Sequence, residues 1–230
     1  MITFTDISKT YRTSGLVNRV FDRLNFSITP RDSIAICGAN GAGKSTLMRI
    51  IAGIELPTSG TVARAMRTSW PIGLSNCFQV LTSGADNVRF IARIYEKDEK
   101  DVLAYVEDFA QLGVFMNQPV INYSSGMVSR LAFGVSLAIE FDCYIVDEVT
   151  TVGDARFRRR CEEELLSRRD RAALVMTSHD PGVLERYCAR GAVLYGGTLT
   201  FFDTAAEANQ AHHALQMRHP SAPSALSGVS

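Results

Sequence analysis

Hydrophobic residues along the chain follow patterns that predict strands. Apolar and polar positions alternate through residues 1–28, which predicts half-buried antiparallel strands around a polar loop at Arg12–Asn18; the apolar positions are Ile2, Phe4, Ile7, Val20, Leu24, Phe26 and Ile28. Three continuous apolar runs predict buried strands of a mostly parallel sheet, at 34–37, 143–146 and 172–176. Two later runs, 192–195 and 198–201, are joined by two glycines and predict a hairpin.

Helical spacing replaces this pattern in the middle of the chain. Asp86 is predicted to cap a helix at Asn87–Tyr95, and Gly113 to end a second helix whose apolar stripe lies within residues 102–110. These helices separate the first buried strand from the later ones. We therefore interpret them as part of an inserted helical subdomain, at about residues 80–140.

Two more helices are predicted further along. Ser124 and Ser125 are expected to begin the first, and Arg156–Arg171 forms the second, which is rich in charge. The second helix offers three pairs at i,i+4 spacing, Arg158/Glu162, Arg159/Glu163 and Arg160/Glu164. Interleaved glutamates favour a solvated face over a basic surface for lipid or nucleic acid.

A glycine-rich segment, Gly38–Thr46, lies between the first buried strand and an apolar helical run. It fits the pattern GxxxxGK[ST] in the strand, loop and helix context that gives this motif its meaning, whereas the alternative is an ordinary glycine-rich turn. Glycines let successive N–H groups point at an anion, and the helix N-terminus adds partial positive charge. Lys44 is expected to reach the β- and γ-phosphates, and the Ser45 hydroxyl to bind Mg²⁺. A nucleoside triphosphate is therefore predicted to be held by Gly38, Ala39, Asn40, Gly41, Ala42, Gly43, Lys44, Ser45 and Thr46.

The composition of the chain narrows the classes of protein to which it can belong. The chain has 230 residues, 46% of them hydrophobic and 21% charged, which suits one α/β domain or a domain with a small insert. The formal net charge is zero, so nothing global indicates nucleic acid as a partner. No apolar run approaches the ~20 residues of a bilayer span, and no signal peptide is expected. Five cysteines without CxxC spacing favour buried thiols in a cytosolic protein over a zinc site or disulfides.

Acidic and imidazole side chains follow the other two buried strands. Asp147 and Glu148 end one strand and His179 follows the next, so all three are expected at the sheet edge that carries the phosphate loop. Asp147 suits a carboxylate that holds Mg²⁺ or its water, and Glu148, on the other side of an extended chain, could orient or deprotonate the attacking water. His179 either hydrogen-bonds a γ-phosphate or is structural. Tyr11 either stacks on a nucleobase or packs at an edge.

Ser124-Ser125-Gly126-Met127 resembles the signature sequence Ser-Gly-Gly-Gln of the nucleotide-binding subunits of ABC transporters. With this motif in place, the other motifs follow the order of that family from about residue 2 to residue 205. The resemblance implies an α/β P-loop ATPase of the ABC type. This fold has a mostly parallel core sheet, an N-terminal antiparallel β subdomain and an inserted helical subdomain. ATP and Mg²⁺ are the implied cofactors.

The resemblance also implies a role for each motif. It implies that Tyr11 stacks on the base, that Gly38–Thr46 is the Walker A loop, and that residues 152–154 are the D-loop. The implied catalytic residues are Glu148, His179 (the switch histidine) and Gln79 (the Q-loop glutamine). The implied magnesium ligands are Ser45, Gln79 and Asp147. Further nucleotide contacts are implied for Ser124, Ser125, Gly126 and Asp154.

Differences from the usual motif sequences of the family indicate a subfamily. Ser125 replaces a signature glycine, Met127 replaces the glutamine, and Val149 stands where a proline is usual. These motifs, with residues 70–74 and 86–90, resemble the group that exports capsular polysaccharide. Relatives that export O-antigen or teichoic acid share part of these motif sequences, and several carry an extra C-terminal domain. The short polar tail of this chain favours the capsule type.

The resemblance implies partners as well. Two nucleotide-binding subunits are expected to form a head-to-tail dimer, in which each signature closes on the γ-phosphate held by the other. A separate transmembrane permease is expected to contact the polysaccharide, with this chain peripheral on the cytoplasmic face of the inner membrane. The alternatives are an exporter of O-antigen, teichoic acid or another lipid-linked glycan, a non-transport ABC ATPase and a small-molecule P-loop kinase. We expect one domain at 1–217 and a disordered tail at 218–230, with no chemistry at His212, His213 or His219.

Overall fold

The computed structural model describes residues 1–13, 16–73, 78–148 and 154–218, which form two sheets with helices around the larger one. In chain order the elements are β1 (Ile2–Thr13), β2 (Leu16–Ile28), β3 (Ser33–Cys37), α1 (Lys44–Ala52), β4 (Ser59–Arg64), β5 (Thr68–Pro71), α2 (Gly84–Ile94), α3 (Glu99–Ala110), α4 (Ser125–Ala138), β6 (Cys143–Asp147), α5 (Ala155–Arg169), β7 (Ala173–Thr177), α6 (Pro181–Tyr187), β8 (Arg190–Tyr195), β9 (Thr198–Phe202) and α7 (Ala205–Arg218). Short 3₁₀ turns occupy Gly113–Asn117 and Val120–Asn122.

The smaller sheet is antiparallel, in the order β2-β1-β4. Its first two strands pair from Ile2 opposite Ile28 to Thr13 opposite Leu16. The predicted loop at Arg12–Asn18 is therefore mostly strand within the described residues. Exposed polar residues can continue a two-stranded ladder because the backbone groups of the two strands satisfy each other without needing an apolar face.

The larger sheet has the order β5-β6-β7-β3-β8-β9, with every neighbouring pair parallel except the last. Strands β3 and β7 are buried at every position because helices cover both faces of the sheet. The predicted hairpin is confirmed as β8 and β9, and its Gly196 and Gly197 have φ of 56° and 80°. Positive φ at both loop positions matches the twist of the strands. The mostly parallel core sheet and the separate antiparallel sheet confirm the predicted fold class.

The ends of α2 and α3 differ from the sequence prediction. Ser83, and not Asp86, caps α2: its hydroxyl accepts the N–H of Asp86 at 3.1 Å, and it donates to the Asp86 carboxylate at 2.7 Å. Either residue suits an N-cap, and this reciprocal bonding puts the acid in the first turn. The end of α3 is formed by Gln111, with φ of 51°, and Gly113 opens a 3₁₀ turn instead of stopping the helix.

The predicted start of α4 is confirmed, since Ser124 is its N-cap and accepts the N–H of Met127 at 3.3 Å. The ion pairs predicted along α5 are only partly correct. Arg159 and Glu163 pair at 3.0 Å, but Arg160 instead contacts Asp108 of α3. Exposed pairs are worth only a few tenths of a kcal/mol, so partners on neighbouring helices compete with those on the same helix.

The core consists of two apolar clusters, one on each face of the larger sheet. One packs α1 beneath the antiparallel sheet, and the other joins α2, α3 and α4 to α5, α6 and α7. Helix α7 was not predicted from the sequence, and its buried Ala205 and Ala208 lie near β8. Arg218, assigned to the tail, is the last residue of α7, and residues 219–230 lie outside the described ranges.

Membrane-crossing helices are not found among the described residues, where no helix combines the required length and apolar character.

Candidate nucleotide-binding site

The loop between β3 and α1 has the geometry of an anion cradle. Gly41 and Gly43 have φ of 79° and 102°, in the left-handed region that favours glycine. Gly38 is required for a different reason, because a Cβ there would lie 2.7 Å from the carbonyl oxygen of Leu194. The Lys44 side chain is buried and its Nζ donates to the carbonyls of Gly38 and Ala39, at 2.7 and 3.1 Å. The lysine charge is thus folded over its own loop.

Strand order brings the predicted acids beside this loop. In the larger sheet β6 adjoins β7, and β7 adjoins β3, with Asp147 opposite Thr177 at the carboxyl ends. The Thr177 hydroxyl donates to Asp147 Oδ1 at 2.6 Å and so orients this carboxylate. Since parallel strands end at the same edge, the phosphate loop, Asp147 and the segment leading to His179 converge there as predicted.

Glu148 departs from the predicted extended conformation. Strand β6 ends at Asp147, and Glu148 has φ of 57°, a left-handed conformation that costs a non-glycine residue of order 1 kcal/mol. Its N–H donates to the carbonyl and hydroxyl oxygens of Thr177, each at 3.2 Å, which holds the turn. The turn directs its carboxylate to His179, whose Nε2 lies 3.0 Å from Glu148 Oε1. Both side chains are about half exposed, at 46% and 63%, and so are accessible to a substrate.

The residues assigned to Mg²⁺ supply oxygen ligands of the type this ion prefers. They are the hydroxyl of Ser45 at the start of α1, the oriented carboxylate of Asp147 and the amide oxygen of Gln79. No group of three or more His, Cys, Asp or Glu side chains arranged for a metal occurs in the part of the chain that the structure describes. A magnesium ion held here would complete its coordination with phosphate oxygens and water, as is usual for Mg²⁺ at nucleotide sites.

The remaining predicted residues surround the loop or lie on neighbouring elements. Gln79 is exposed, and its backbone is fixed by Asn87, which accepts its N–H at 2.8 Å and donates to its carbonyl at 3.0 Å. Asp154 caps α5 and also accepts from Arg130 of α4 at 2.8 Å, so the helix that carries the predicted signature is tied to the described end of the predicted D-loop. Residues 152 and 153 of that loop lie outside the described ranges.

Tyr11 lies on β1 and contacts the helix that follows the phosphate loop. Its hydroxyl is 3.4 Å from Thr46 Oγ1 and donates to Glu55 Oε1 at 2.6 Å. The whole residue is 36% exposed, so its ring remains accessible beside the loop. Edge packing alone does not describe this residue, since its hydroxyl takes part in a polar cluster.

A cavity of about 690 Å³ adjoins the phosphate loop on the side of α7. Its walls include Gly38–Asn40 and His179, together with Asn209, His212, His213 and Gln216 of α7. No chemistry was predicted for His212 and His213 because α7 was not predicted, although alanines at 205, 208 and 211 follow helical spacing. Burial, followed by the positive charges of Lys44 and His213, lowers the pKa of His212.

Four described cysteines are free and buried, as predicted, namely Cys37, Cys143, Cys161 and Cys188; Cys77 lies outside the described ranges. Burial raises the pKa of Cys37, next to the phosphate loop, to about 11. Its thiol donates to Asn209 Oδ1 at 3.2 Å and thereby connects β3 to α7. These thiols are packing groups in the protonated state.

The comparisons with known proteins agree with this geometry. Residues 21–151, more than half of the chain, match the family model described as ABC transporter. The chain belongs to the ABC transporter family. It is 42% identical over 215 residues to the capsule polysaccharide export ATP-binding protein CtrD of Neisseria meningitidis serogroup B, covering 94% of this chain and all of that relative. It is also 46% identical over 190 residues to the polysialic acid transport ATP-binding protein KpsT of Escherichia coli, covering 82% and 85% of the two chains.

Among solved structures, the fold is similar to the dimeric post-hydrolysis state of the ATP-binding cassette MJ0796 bound to ADP and Pi. The TM-score is 0.76 at 20% identity, and the match covers 88% of this chain and 98% of that one. Family membership and this fold support binding of ATP and its hydrolysis coupled to transport. The resemblance stated from the sequence motifs is therefore confirmed.

Proposed function

We propose that this chain is the ATP-hydrolysing subunit of an exporter that moves capsular polysaccharide across the inner membrane. The observation that carries the proposal is the 42% identity to a capsule polysaccharide export ATP-binding protein, which extends over all of that relative. The site described above is the one to which we assign hydrolysis. Family membership supports ATP hydrolysis coupled to transport, and capsular polysaccharide is the cargo class proposed from the relative.

In the proposed reaction, the phosphate loop positions ATP and the strand ends carry out hydrolysis. Lys44 leaves the carbonyls of Gly38 and Ala39 to bind the β- and γ-phosphates. Glu148 orients the attacking water and accepts its proton, and His179 holds the Glu148 carboxylate and the γ-phosphate oxygens. When bound by Ser45, Gln79 and Asp147, Mg²⁺ would neutralise charge on the phosphates.

The proposed working form is a head-to-tail dimer of two copies. Ser124 and Ser125 are exposed at the N-terminus of α4, where free N–H groups and the helix dipole favour an anion. In the proposed dimer this helix end binds the γ-phosphate held by the other copy. The Arg130–Asp154 pair supports this arrangement, since it links α4 to the D-loop residue at the start of α5.

The proposed partner is a separate membrane-embedded permease, which places this chain on the cytoplasmic face of the inner membrane. Its proposed docking surface is the helical subdomain, because large apolar side chains are exposed there. These are Val80, Leu81, Phe90, Ile94, Val114, Phe115 and Ile121, with exposures from 44% to 79%. Val80 and Ile121 are brought together by a backbone hydrogen bond of 2.8 Å, directly after Gln79. Exposed apolar groups of this kind mark a protein interface more often than a free surface.

The test is to replace the chain by Glu148→Gln in its native host and to localise glycans chemically and by thin-section microscopy. We expect polymer to accumulate inside the cell while the surface loses its coat. Glu163→Gln on α5 is the matched control, since this carboxylate is exposed and pairs with Arg159. A normal capsule in the Glu148→Gln strain would contradict the cargo assignment. Accumulation of O-antigen or teichoic acid instead would replace capsule by that glycan.

A further inference from the structure

A cluster of charged and polar side chains lies between β1 and the helix of the phosphate loop, and no motif accounts for it. At its centre is the carboxylate of Glu55, which follows α1 by three residues. It accepts from Lys9 Nζ at 2.7 Å, from Arg49 Nε at 2.8 Å and from the Tyr11 hydroxyl at 2.6 Å. We call these four side chains the Glu55 cluster.

At Lys9 and Glu55 the Glu55 cluster is less exposed than an ordinary surface ion pair. The side chains of Lys9 and Glu55 are only 13% and 19% exposed, and the Lys9 ammonium also donates to the Leu56 carbonyl at 2.8 Å. Burial opposes ionisation of Glu55, but hydrogen bonds from Lys9, Tyr11 and Arg49 outweigh it and lower its pKa to about 2. At neutral pH the carboxylate is therefore ionised and shared by three donors, a geometry that fixes all of them.

The cluster joins the two parts of a nucleotide site. Arg49 lies on α1, five residues after Lys44, and its Nη2 is also within 3.3 Å of the Tyr11 hydroxyl and of Thr46 Oγ1. Tyr11, in contrast, belongs to the antiparallel sheet. The hydroxyl of Tyr11 is thus tied to the phosphate-loop helix, which sets the position of its ring relative to the cradle.

The cluster also distinguishes the two faces of the Tyr11 ring. The Lys9 ammonium lies over the ring, 5.1 Å from its centroid. One face therefore carries a cation that is itself held by Glu55, and a planar base can stack only on the other. Removal of Glu55 would take away the carboxylate that the hydroxyl and the ammonium share, and would leave each with weaker or neutral partners.

We propose that Glu55 is a positioning residue for the nucleobase, which holds Tyr11 at a fixed place beside the phosphate loop so that its open face stacks on the adenine of ATP. The inference rests on the proposed ATP site and adds a residue to it that lies outside the sequence motifs. We propose that its effect on the nucleotide runs through Tyr11 and is therefore felt at the base. Because Glu55 also holds Arg49, which contacts Thr46 Oγ1, the test has to separate this effect from one on the phosphates.

The experiment measures the binding of two probes to the purified chain in the absence of Mg²⁺. One probe is ATP, and the other is inorganic tripolyphosphate, which lacks a base. Glu55→Gln is expected to weaken ATP binding about five- to ten-fold, as for loss of a charge-assisted hydrogen bond, and to change tripolyphosphate binding by less than about two-fold. In steady-state assays KM for ATP rises while kcat stays within about two-fold. Glu99→Gln is the matched control, because Glu99 pairs with Arg93 at 2.5 Å in the helical subdomain.

A second variant tests the same contact from its other side. Tyr11→Phe keeps the ring and removes the donor, so it should weaken ATP binding by about as much as Glu55→Gln, and the two together should cost no more than either alone. Additive losses would overturn the proposal, since Glu55 would then act elsewhere.

The remaining outcomes separate this inference from the proposed site. If Glu55→Gln lost the same affinity for ATP and for tripolyphosphate, Glu55 would merely support α1. If its affinity for ATP were unchanged, Glu55 would position nothing. Either result overturns the proposal. Failure of the site itself has a different signature, since Lys44→Ala would then leave the binding of both probes intact.

Discussion

Glu148 and His179 are joined by a contact of 3.0 Å between Oε1 and Nε2, although they lie 31 positions apart along the chain, and Glu148 makes it from a left-handed backbone. The contact places an acceptor for the water proton and a group able to reach the γ-phosphate side by side. Each can thereby hold the other in the orientation that hydrolysis requires.

Replacement of His179 should therefore affect turnover more than binding. In His179→Ala we expect kcat for ATP hydrolysis to fall at least about ten-fold, because Glu148 loses its partner and the γ-phosphate a donor, while ATP affinity changes less than about three-fold. Phosphate release and equilibrium nucleotide binding are the measurements. If the variant hydrolysed ATP at the wild-type rate, His179 would have a structural role and no part in hydrolysis.

Lys44→Ala should remove nucleotide binding. The lysine is the buried positive charge of the loop, and we expect ATP affinity to fall by about 100-fold or more when it is lost. Lys100→Ala, on the exposed face of α3, is a control of equal charge change. Unchanged ATP affinity in Lys44→Ala, measured by calorimetry, would remove the phosphate-loop assignment.

Glu148→Gln should bind ATP without hydrolysing it and accumulate as a dimer. Loss of the proton acceptor stops the reaction after ATP has joined the two proposed composite sites, so the dimer cannot open. Size-exclusion chromatography with ATP and Mg²⁺ should show the change in mass, with Glu163→Gln remaining monomeric at the same concentration. A monomeric Glu148→Gln protein would argue against the head-to-tail arrangement.

The backbone at Glu148 allows a separate prediction about stability. Glycine adopts φ near 57° without the cost that a Cβ imposes, whereas alanine retains that cost. We expect Glu148→Gly to exceed Glu148→Ala in free energy of unfolding by about 1 kcal/mol, measured with urea. The opposite order would mean that the left-handed turn carries no strain.

Acid should weaken the Glu55 cluster in a defined range of pH. The pKa of Glu55 is lowered from 4.5 to about 2 in the folded chain, so its stabilisation is complete above pH 4.5 and is lost as the pH falls through 2. At pH 7 we expect Glu55→Gln to be less stable than the wild type by about 1–3 kcal/mol. The difference should narrow between pH 4.5 and 2 in chemical denaturation curves. A difference that is constant over this range would exclude ionised Glu55 as its source.

The parts of the site that sequence could predict are those encoded locally. Gly38–Thr46 could be predicted as a phosphate-binding loop because glycine, lysine and hydroxyl groups at fixed spacing follow an apolar strand. Asp147, Glu148 and His179 were located because buried parallel strands end at one edge. Ser124 was correctly expected at a helix start, for a short side chain there can cap the first turn.

The parts that sequence could not predict depend on contacts between distant segments. Glu55 lies 46 residues from Lys9 and 44 from Tyr11, and its role emerges only when β1 packs beside α1. Arg160 likewise pairs with Asp108 of another helix, a contact that forms only when α3 packs beside α5. Asp86 was misplaced because serine and aspartate three residues apart bond reciprocally, and either one alone would suit the cap.

The cavity between the phosphate loop and α7 also bears on inhibitor design. A compound that competes with ATP usually depends on contacts that many nucleotide-binding proteins offer. Here a group extended past Asn40 into the space of about 690 Å³ would meet His212, His213 and Gln216, which lie outside the nucleotide motifs. Selectivity for this ATPase over others could be gained from α7 without giving up the affinity that the phosphate loop provides.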